Sequence, residues 1–315
     1  MKLLVAGGSG FIGRQFLLHA PRDWEIVATY RQATDFPRFL AERGLEFVRP
    51  VQVDLGSVSQ TETAFRGDTQ FDTCLFLAAD TRVGALVEDP RRDLAGNLAP
   101  LLNTLQSIRC GRFVFLSSGA VYMGRHGLVD VEAPLSPTIP YAIAKYASEL
   151  YVQAARRQGR IGGYVVLRFF GAYGPLEPER KLTAKLLETI LRGSKKFTVF
   201  GDGNNLIDAM YIDDAVGGLL AVLQSDVNDV TVDFCSGHPL TINDWVVRSG
   251  TVLGAALEIE HKGESPEYIE FYASPEPMHL AFGFRPSVDL EDGFLRYAEW
   301  SKASLRTAQS LNQPR

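Results

Sequence analysis

The sequence predicts an α/β fold in which a doubly wound parallel sheet carries helices on both faces. Two observations predict it. Short apolar segments alternate with helical patterns through the first half of the chain, and a glycine-rich turn joins the first segment to the first helix. Alternation of this kind gives crossover connections and a parallel sheet. Ligands of such sheets bind at the carboxyl ends of the strands.

Six short apolar segments are the predicted strands. They are Lys2–Ala6, Glu25–Tyr30 and residues 47–53, 73–77, 112–117 and 164–168. Helical patterns lie between them, notably at residues 91–109 and 141–157. After Pro175 the alternation weakens, and glycines and prolines break the chain into shorter units. We therefore expect a smaller C-terminal domain that covers the substrate.

A glycine-rich turn directly follows the first strand. It reads Gly7-Gly8-Ser9-Gly10-Phe11-Ile12-Gly13 and continues into a helical pattern through Phe16, Leu17 and Leu18. Glycines allow a tight turn and a close backbone approach, while the N–H groups and the dipole of a helix N-terminus attract a diphosphate. A strand, this turn and a helix together predict a dinucleotide-binding site.

Tyr141 and Lys145 lie four residues apart in a predicted helix. These positions are neighbours on the helix surface, so the ammonium can lie near the phenol. A nearby cation lowers the pKa of tyrosine from its ordinary value of about 10. The hydroxyl can then exchange a proton with an alcohol or a ketone. Together with the glycine turn, the pair predicts hydride transfer to or from a nicotinamide ring.

Further segments occur in the order found in one known family. The chain resembles the extended short-chain dehydrogenase/reductase family, also called the NAD-dependent epimerase/dehydratase family, whose best-known members modify nucleotide-activated sugars. The matching parts are Gly7, Gly10, Gly13, Tyr141, Lys145, the segment Ser118-Gly119-Ala120-Val121-Tyr122, and residues 168–175 and 211–214. The resemblance runs nearly from end to end.

The resemblance implies a Rossmann fold and a set of site residues. Ser118 would be the third catalytic residue beside Tyr141 and Lys145, with Ser117 as its structural neighbour. The NAD(P)-binding domain would comprise residues 1–170 plus about 206–235, and the cap about 171–205 and 236–310. From the turn, the second strand and the resemblance, the residues expected to bind the cofactor are Gly7, Gly10, Phe11, Ile12, Gly13, Arg31, Asp54, Leu55, Ala78, Ala79, Asn97, Tyr141 and Lys145. Asn97 could equally be a packing residue within its helix.

The end of the second strand indicates which dinucleotide is bound. NAD-binding versions of this fold place a carboxylate about twenty residues after the glycines, whereas an arginine there accommodates NADP. Here the strand ends in Ala28-Thr29-Tyr30-Arg31-Gln32, and Arg31 could pair with a 2′-phosphate. NADP is therefore favoured over NAD. The alternative is that Arg31 is a solvated charge and Asp35 holds NAD.

The two residues after Ser118 indicate which reactions the enzyme can catalyse. Family members that dehydrate a sugar typically carry an Asp-Glu pair where this chain has Gly119-Ala120, which predicts that it is not a 4,6-dehydratase. Epimerases and ketoreductases remain, because both need only Ser118, Tyr141, Lys145 and the nicotinamide. The Arg31 argument favours a ketoreductase of an activated sugar, and a NAD-dependent nucleotide-sugar 4-epimerase is the alternative.

Two departures from the family concern the substrate. Gly171 and Ile207 stand where the resemblance expects an Asn and an Arg that hold a diphosphate. Either nearby cations replace them, or the substrate is a small ketone or aldehyde reduced with NADPH. The nearby cations are Lys181, Lys185 and Arg192, which could equally form the solvated face of a helix. A non-catalytic NADP-sensing module is the alternative from another class, although the tyrosine, lysine and glycines of an enzyme are all present.

Composition excludes several kinds of partner. The 315 residues carry a net charge of −5 and no long basic run, so no nucleic-acid partner is expected. Three scattered cysteines and five histidines show no metal-ligand spacing. No apolar segment is long enough to span a membrane, and we expect a cytoplasmic enzyme. Apolar faces at residues 94–105 and 146–155 are compatible with the homodimer common in the family, but core packing also explains them.

Overall fold

A computed structural model describes residues 1–265 and 269–311, with side chains described as far as residue 304. Its strands are β1 Lys2–Ala6, β2 Glu25–Tyr30, β3 Val48–Gln52, β4 Gln70–Phe76, β5 Arg109–Leu116, β6 His126–Val129, β7 Tyr164–Phe169, β8 Ala172–Tyr173, β9 Lys196–Phe200, β10 Leu206–Ile207, β11 Met210–Tyr211, β12 Val230–Phe234, β13 Leu240–Thr241, β14 Glu258–Lys262 and β15 Glu270–Ala273. Its α-helices are α1 Phe11–His19, α2 Phe36–Glu42, α3 Val58–Ala64, α4 Val83–Glu88, α5 Pro90–Asp93, α6 Ala99–Ser107, α7 Pro140–Arg157, α8 Leu182–Leu191, α9 Ile212–Gln224, α10 Ile242–Val252, α11 Glu276–Phe282 and α12 Leu290–Leu311.

Seven strands form one parallel sheet in the order β12-β7-β5-β4-β1-β2-β3. The first three strands fill one half of this sheet, and β4, β5, β7 and β12 fill the other. The strand order therefore reverses between β1 and β4, which is where sheets of this type bind ligands. The predicted doubly wound α/β fold is confirmed, and the predicted strands differ from the observed ones by at most three residues at either end.

The central strand β1 shows why the sheet is covered on both faces. Its side chains alternate, so that Leu3 and Val5 join one buried cluster while Leu4 and Ala6 join the other. All four side chains are fully buried. A strand buried on both faces needs an apolar residue at every position, which is the pattern of this segment.

The predicted helix at residues 91–109 is observed as an uninterrupted helical segment at residues 90–107 that contains a π turn. The segment comprises α5, the π turn at Leu94–Leu98, and α6. Pro100 lies in the first turn of α6, where its missing N–H and its ring interrupt regular α-helical hydrogen bonding. The wider π turn places Asn97 against the loop that follows β4.

The second half of the chain contributes to both the sheet and its cover. The strand β12 pairs with β7 at the edge of the large sheet, and α9 packs against α1. The strands β9 and β14 pair outside this sheet, as do β6 and β15. The division into a nucleotide domain and a cap stays a prediction, and residues 266–268 of that cap lie outside the described residues. None of the helices described is both long and apolar enough to cross a membrane.

Candidate active site

Two adjoining cavities open at the carboxyl ends of the central strands. The first cavity, of about 370 Å³, is bordered by residues 29–32, 53–55 and 78–82. The second cavity, of about 390 Å³, is bordered by Ser118, Tyr141, Lys145 and the start of α1. The residues that border both cavities are Gly7, Gly10, Leu77, Ala79, Thr81 and Arg180. An elongated ligand could therefore extend from one cavity into the other past the glycine turn.

The glycine turn has no room for side chains at two positions. Gly7 has a φ of +89°, and a Cβ there would lie 2.7 Å from the backbone nitrogen of Ala78. A Cβ at Gly13 would lie 2.6 Å from the carbonyl oxygen of Gly7. Gly10 precedes the first helical residue, and no side chain caps the N-terminus of α1. The turn thus directs uncapped helical N–H groups toward the cavities, an arrangement that suits a diphosphate.

The first cavity is bordered by four of the residues expected to bind the cofactor. Arg31, Asp54, Leu55 and Ala78 all border it. Arg31 is half-exposed, and its Nη1 lies 3.9 Å from Oδ1 of Asp54. Asp35 does not border this cavity, and its carboxylate accepts a hydrogen bond from Arg14 Nη2 at 2.9 Å. The alternative in which Asp35 holds the ribose would require this ion pair to break.

The second cavity brings together the three residues predicted to be catalytic. Ser118, Tyr141 and Lys145 border it together with Phe11, Ile12 and Gly13. Ser118 Oγ accepts a hydrogen bond from the backbone N–H of Ala120 at 3.1 Å, which fixes the hydroxyl at the start of a 3₁₀ turn. The Lys145 ammonium lies 5.8 Å from the centroid of the Tyr141 ring. Positions in three separate parts of the sequence thus converge on one cavity.

The environment of Lys145 controls its charge. The side chain is almost completely buried, and Nζ donates a hydrogen bond to the carbonyl oxygen of Leu116 at 2.8 Å. Burial lowers the pKa of Lys145 to about 8, while the nearby carboxylates of Glu149 and Asp93 oppose that change. A buried lysine whose pKa is this close to neutrality is characteristic of functional sites.

A buried polar network that the sequence did not reveal lies beside this lysine. Ser117 Oγ donates to Glu149 at 2.5 Å, and Arg168 forms an ion pair with Glu149 at 3.0 Å. Arg168 Nη1 also donates to the Tyr122 hydroxyl at 2.8 Å, which in turn donates to Asp233 at 2.7 Å. All five side chains are buried. The network connects the helix that carries Lys145 with the turn that carries Ser118.

Asp233 is the unusual member of this network. Burial raises its pKa to about 6, and the carboxylates of Glu149 and Asp130 add to the effect. The hydrogen bond from Tyr122 and the charge of Arg168 act in the opposite direction without cancelling it. Asp233 is therefore a buried carboxyl group that changes charge in mildly acidic solution.

Glu149 could have been found from the sequence, but Asp233 could not. Glu149 follows Lys145 by four residues on α7, so helical periodicity places both on one face. Asp233 lies on β12, more than eighty residues further along the chain, and only the sheet order brings it near.

Three residues that were expected to contact a ligand border neither cavity. Asn97 borders neither cavity; its side chain accepts from the backbone N–H of Asp80 at 2.9 Å and donates to Asp93 at 2.6 Å. It therefore supports the loop after β4. Of the three cations proposed for a diphosphate, Lys181 borders the second cavity, but Lys185 on α8 and Arg192 directly after it border neither and are exposed.

No group of three or more metal-binding side chains occurs within the described ranges. The cavities instead present the glycine turn, apolar walls and a tyrosine-lysine pair. The sequence profile of the NAD dependent epimerase/dehydratase family matches residues 3–233. The chain belongs to this family of enzymes.

Relatives within this family differ in their reactions. The chain is 26% identical to a putative UDP-glucose 4-epimerase of Methanocaldococcus jannaschii, over 97% of this chain and 100% of the relative. It is 25% identical to a dTDP-glucose 4,6-dehydratase of Streptomyces niveus, over 100% of this chain and 96% of the relative. Dehydratases are thus among the relatives, and the predicted exclusion of dehydration is not supported by this comparison.

A solved structure of similar fold carries a bound dinucleotide. The UDP-glucose 4-epimerase of Thermus thermophilus, in complex with NAD, matches with a TM-score of 0.83 and 26% identity. The match covers 96% of this chain and 100% of that chain.

Proposed function

We propose that this protein is an epimerase of an activated sugar that uses a retained nicotinamide dinucleotide. The observation that carries the proposal is that Ser118, Tyr141 and Lys145 border one cavity that adjoins the glycine turn. The relatives described as UDP-glucose 4-epimerases support it over the ketoreductase that Arg31 favours. An epimerase needs no acid-base pair beyond these three residues, because oxidation and re-reduction occur at one carbon.

The residues present fit a dinucleotide. Glycine is required at Gly7 and Gly13, where a Cβ would collide with backbone, and the N-terminus of α1 is free of side-chain caps. The adenosine would lie in the first cavity near Asp54, the diphosphate at the glycine turn, and the nicotinamide end near Lys145. When bound, this cofactor supplies a ring that accepts a hydride from a sugar carbon and returns it.

The chain's own residues would manage the proton and the substrate oxygen. Tyr141 would hold at its hydroxyl oxygen the proton that leaves and re-enters the sugar hydroxyl. The Lys145 ammonium would favour the phenolate form, and its bond to the Leu116 carbonyl fixes its position. The Ser118 hydroxyl, held by the N–H of Ala120, would donate to the substrate oxygen.

We also propose that the enzyme does not catalyse 4,6-dehydration. Dehydration needs a further acid and base beside the reacting carbons, and Gly119 and Ala120 supply neither. A Cβ at Gly119 would already lie 3.1 Å from the Phe170 ring. A carboxylate side chain at that position would therefore require the aromatic wall to move.

A product assay tests the proposal. UDP-glucose, UDP-N-acetylglucosamine, UDP-glucuronate and dTDP-glucose would each be incubated with the enzyme without added dinucleotide, and the products identified by NMR. We expect the 4-epimer of at least one sugar, and no product from Tyr141→Phe. A 4-keto-6-deoxy sugar would show a dehydratase, and an absence of epimer with all four would contradict the proposal.

A ketoreductase is the second candidate, favoured by the position of Arg31 in the first cavity with no carboxylate of β2 beside it. NADP(H) would then be the cofactor, its 2′-phosphate bound by the guanidinium. The test is the affinity of wild-type and Arg31→Ala protein for NADPH and NADH. A loss of affinity confined to NADPH would favour this candidate, and equal effects on both would exclude a 2′-phosphate contact.

We further propose that the enzyme acts as a homodimer. Leu94, Leu150 and Tyr151 of the predicted helical faces are 46–56% exposed, so core packing does not explain these apolar side chains. Ile143, on the same helix as Leu150, is also exposed. A second copy that covers them through paired helices fits this surface. Light scattering should give a dimer for the wild type and a monomer for Leu150→Glu; a wild-type monomer would contradict the proposal.

A further inference from the structure

Arg180 crosses the cleft at the junction of the two cavities. It lies between β8 and α8, in the segment predicted to belong to the cap, and its Nη2 donates to Thr81 Oγ1 at 2.7 Å. Thr81 lies in the loop after β4. Among the described residues, Arg180 is the only one after Pro100 that borders the first cavity. It also borders the second cavity, so its side chain lies beside both.

Three other cations at these cavities lie beside carboxylates. Arg82 donates to the Asp80 carboxylate at 2.9 Å, and Arg31 lies 3.9 Å from that of Asp54. Lys181 lies 3.7 Å from Glu177. Lys145, the remaining one, is buried and bound to a carbonyl.

Arg180 differs from Arg31, Arg82 and Lys181, because within the described part of the chain no carboxylate lies within 4.0 Å of its guanidinium. It differs from the buried Lys145 in being exposed, and its Nη2 donates to a neutral hydroxyl. Its charge is therefore accessible to a ligand and not neutralised by a carboxylate.

We infer that Arg180 binds a diphosphate at the junction of the two cavities. The inference rests on the proposed function, which requires two diphosphates near this point: that of the dinucleotide at the glycine turn and that of the activated sugar. A guanidinium presents a planar fork of donors that suits phosphate oxygens, and such charge-assisted bonds are among the stronger hydrogen bonds in proteins. The Thr81 hydroxyl orients the fork without neutralising it.

This inference also accounts for the two departures from the family pattern. Gly171 and Ile207 supply no polar side chain where the family resemblance expects phosphate contacts. Arg180 supplies a cation from a different position in the same part of the chain. The structure thus assigns to Arg180 a binding role that Lys185 and Arg192 cannot fill, because both lie outside the two cavities.

Binding measurements on full-length protein separate the two sources of diphosphate. After removal of any retained dinucleotide, calorimetry would give the affinity of wild type, Arg180→Gln, Arg180→Lys and the surface control Lys185→Gln for NADH, NADPH and UDP. If Arg180 holds the dinucleotide, Arg180→Gln should lower the affinity for NADH and NADPH about tenfold or more and leave the affinity for UDP unchanged. If Arg180 holds the sugar nucleotide, only the affinity for UDP should fall by that factor. Arg180→Lys should recover part of the loss, and Lys185→Gln should bind like the wild type.

Unchanged affinity of Arg180→Gln for all three probes would overturn the inference, whatever the enzyme's reaction. Because these measurements need no turnover, they remain decisive even if the product assay shows that the enzyme is not an epimerase. A wild-type protein that binds none of the probes would overturn both proposals. Thr81→Val removes the orienting hydroxyl but keeps the charge of Arg180. It should show a smaller loss of affinity for the same probe.

Discussion

The ammonium of Lys145 donates a hydrogen bond of 2.8 Å to the carbonyl oxygen of Leu116, the last residue of β5. This contact ties the helix that carries Tyr141 to the strand that ends at the Ser117-Ser118 segment. This hydrogen bond uses one of the three ammonium protons, so two remain for the Tyr141 side chain and the cofactor. The same lysine therefore has a positioning and an electrostatic role.

Removal of the Tyr141 hydroxyl should abolish turnover while leaving the fold and cofactor affinity intact. We expect kcat of Tyr141→Phe to fall by about 10²–10⁴, the usual contribution of a general acid-base group. Steady-state kinetics and NADH titration measure the two effects. Tyr151→Phe, a half-exposed tyrosine on the same helix, is the matched control and should behave like the wild type. Comparable loss in both variants would argue against a specific role for Tyr141.

Glu149 should set the pH at which Lys145 loses its charge. The pKa of Lys145 is about 8, and the Glu149 carboxylate raises it against the effect of burial. Activity that depends on the ammonium should fall as the pH rises through about 8. In Glu149→Gln the pKa of Lys145 should be lower, so this fall should begin at a lower pH. A pH–rate profile checks the direction.

The same substitution leaves Arg168 without its buried carboxylate partner, and loss of one partner of a buried ion pair costs about 3–5 kcal/mol. Thermal unfolding should therefore show a lower Tm for Glu149→Gln. Glu188→Gln, which breaks an exposed ion pair with Arg192, is the control and should change neither property. An alkaline limb at the same pH in Glu149→Gln and wild type would contradict the assigned coupling.

Asp233 should make the fold less stable as the pH rises. Its pKa is about 6 in the folded protein and about 3.9 in an unfolded chain. Between these values the folded state keeps a proton that the unfolded state has lost, so stability falls as the pH rises from about 4 to about 6. Asp233→Asn lacks this effect and can still accept the bond from Tyr122. Relative to wild type, the free energy of unfolding of Asp233→Asn should rise by roughly 2 kcal/mol between about pH 4.5 and about pH 7.5.

Urea unfolding at pH 4.5 and pH 7.5 measures that difference, provided that both proteins unfold in two states. The exposed Asp23→Asn should follow the wild type at both pH values. A parallel pH dependence of Asp233→Asn and wild type would show that the Asp233 carboxyl is not perturbed.

Gly13→Ala should disrupt the glycine turn. The added Cβ would meet the carbonyl oxygens of Gly7 and Gly8 at 2.6 and 2.7 Å, so the backbone must shift. We expect a loss of about 1–3 kcal/mol in stability and a weaker affinity for dinucleotide. Gly84→Ala in α4, where a Cβ meets no atom within 4 Å, should be neutral or slightly stabilising. NADH titration and urea unfolding of both variants provide the check, and unimpaired binding by Gly13→Ala would contradict the geometry.

The sequence was most informative where local rules apply. Short-range patterns predict the strand Lys2–Ala6, the glycine turn and the spacing of Tyr141 and Lys145. These three features indicate the fold and the centre of the site. The sequence was less informative where distant segments meet. The Arg180–Thr81 contact and the bond from Tyr122 to Asp233 join residues about 100 positions apart, and only the tertiary structure brings them together.

Local rules gave the helix at residues 91–109 but not the π turn within it. Asn97 lies in that turn, and its side chain supports the loop after β4. The choice between NAD and NADP rested on Arg31 alone. A single half-exposed side chain is weak support for a specificity that depends on every group around the ribose.

The most direct test of the proposed function is the identity of the dinucleotide that purified protein retains. The protein would be denatured, the released nucleotide identified by chromatography and mass, and its amount compared with that of the chain. An epimerase keeps its cofactor through each cycle, so we predict retained NAD in near-stoichiometric amount. Protein that is empty on purification, selects NADPH over NADH and consumes it with a ketone would contradict the epimerase and establish the reductase.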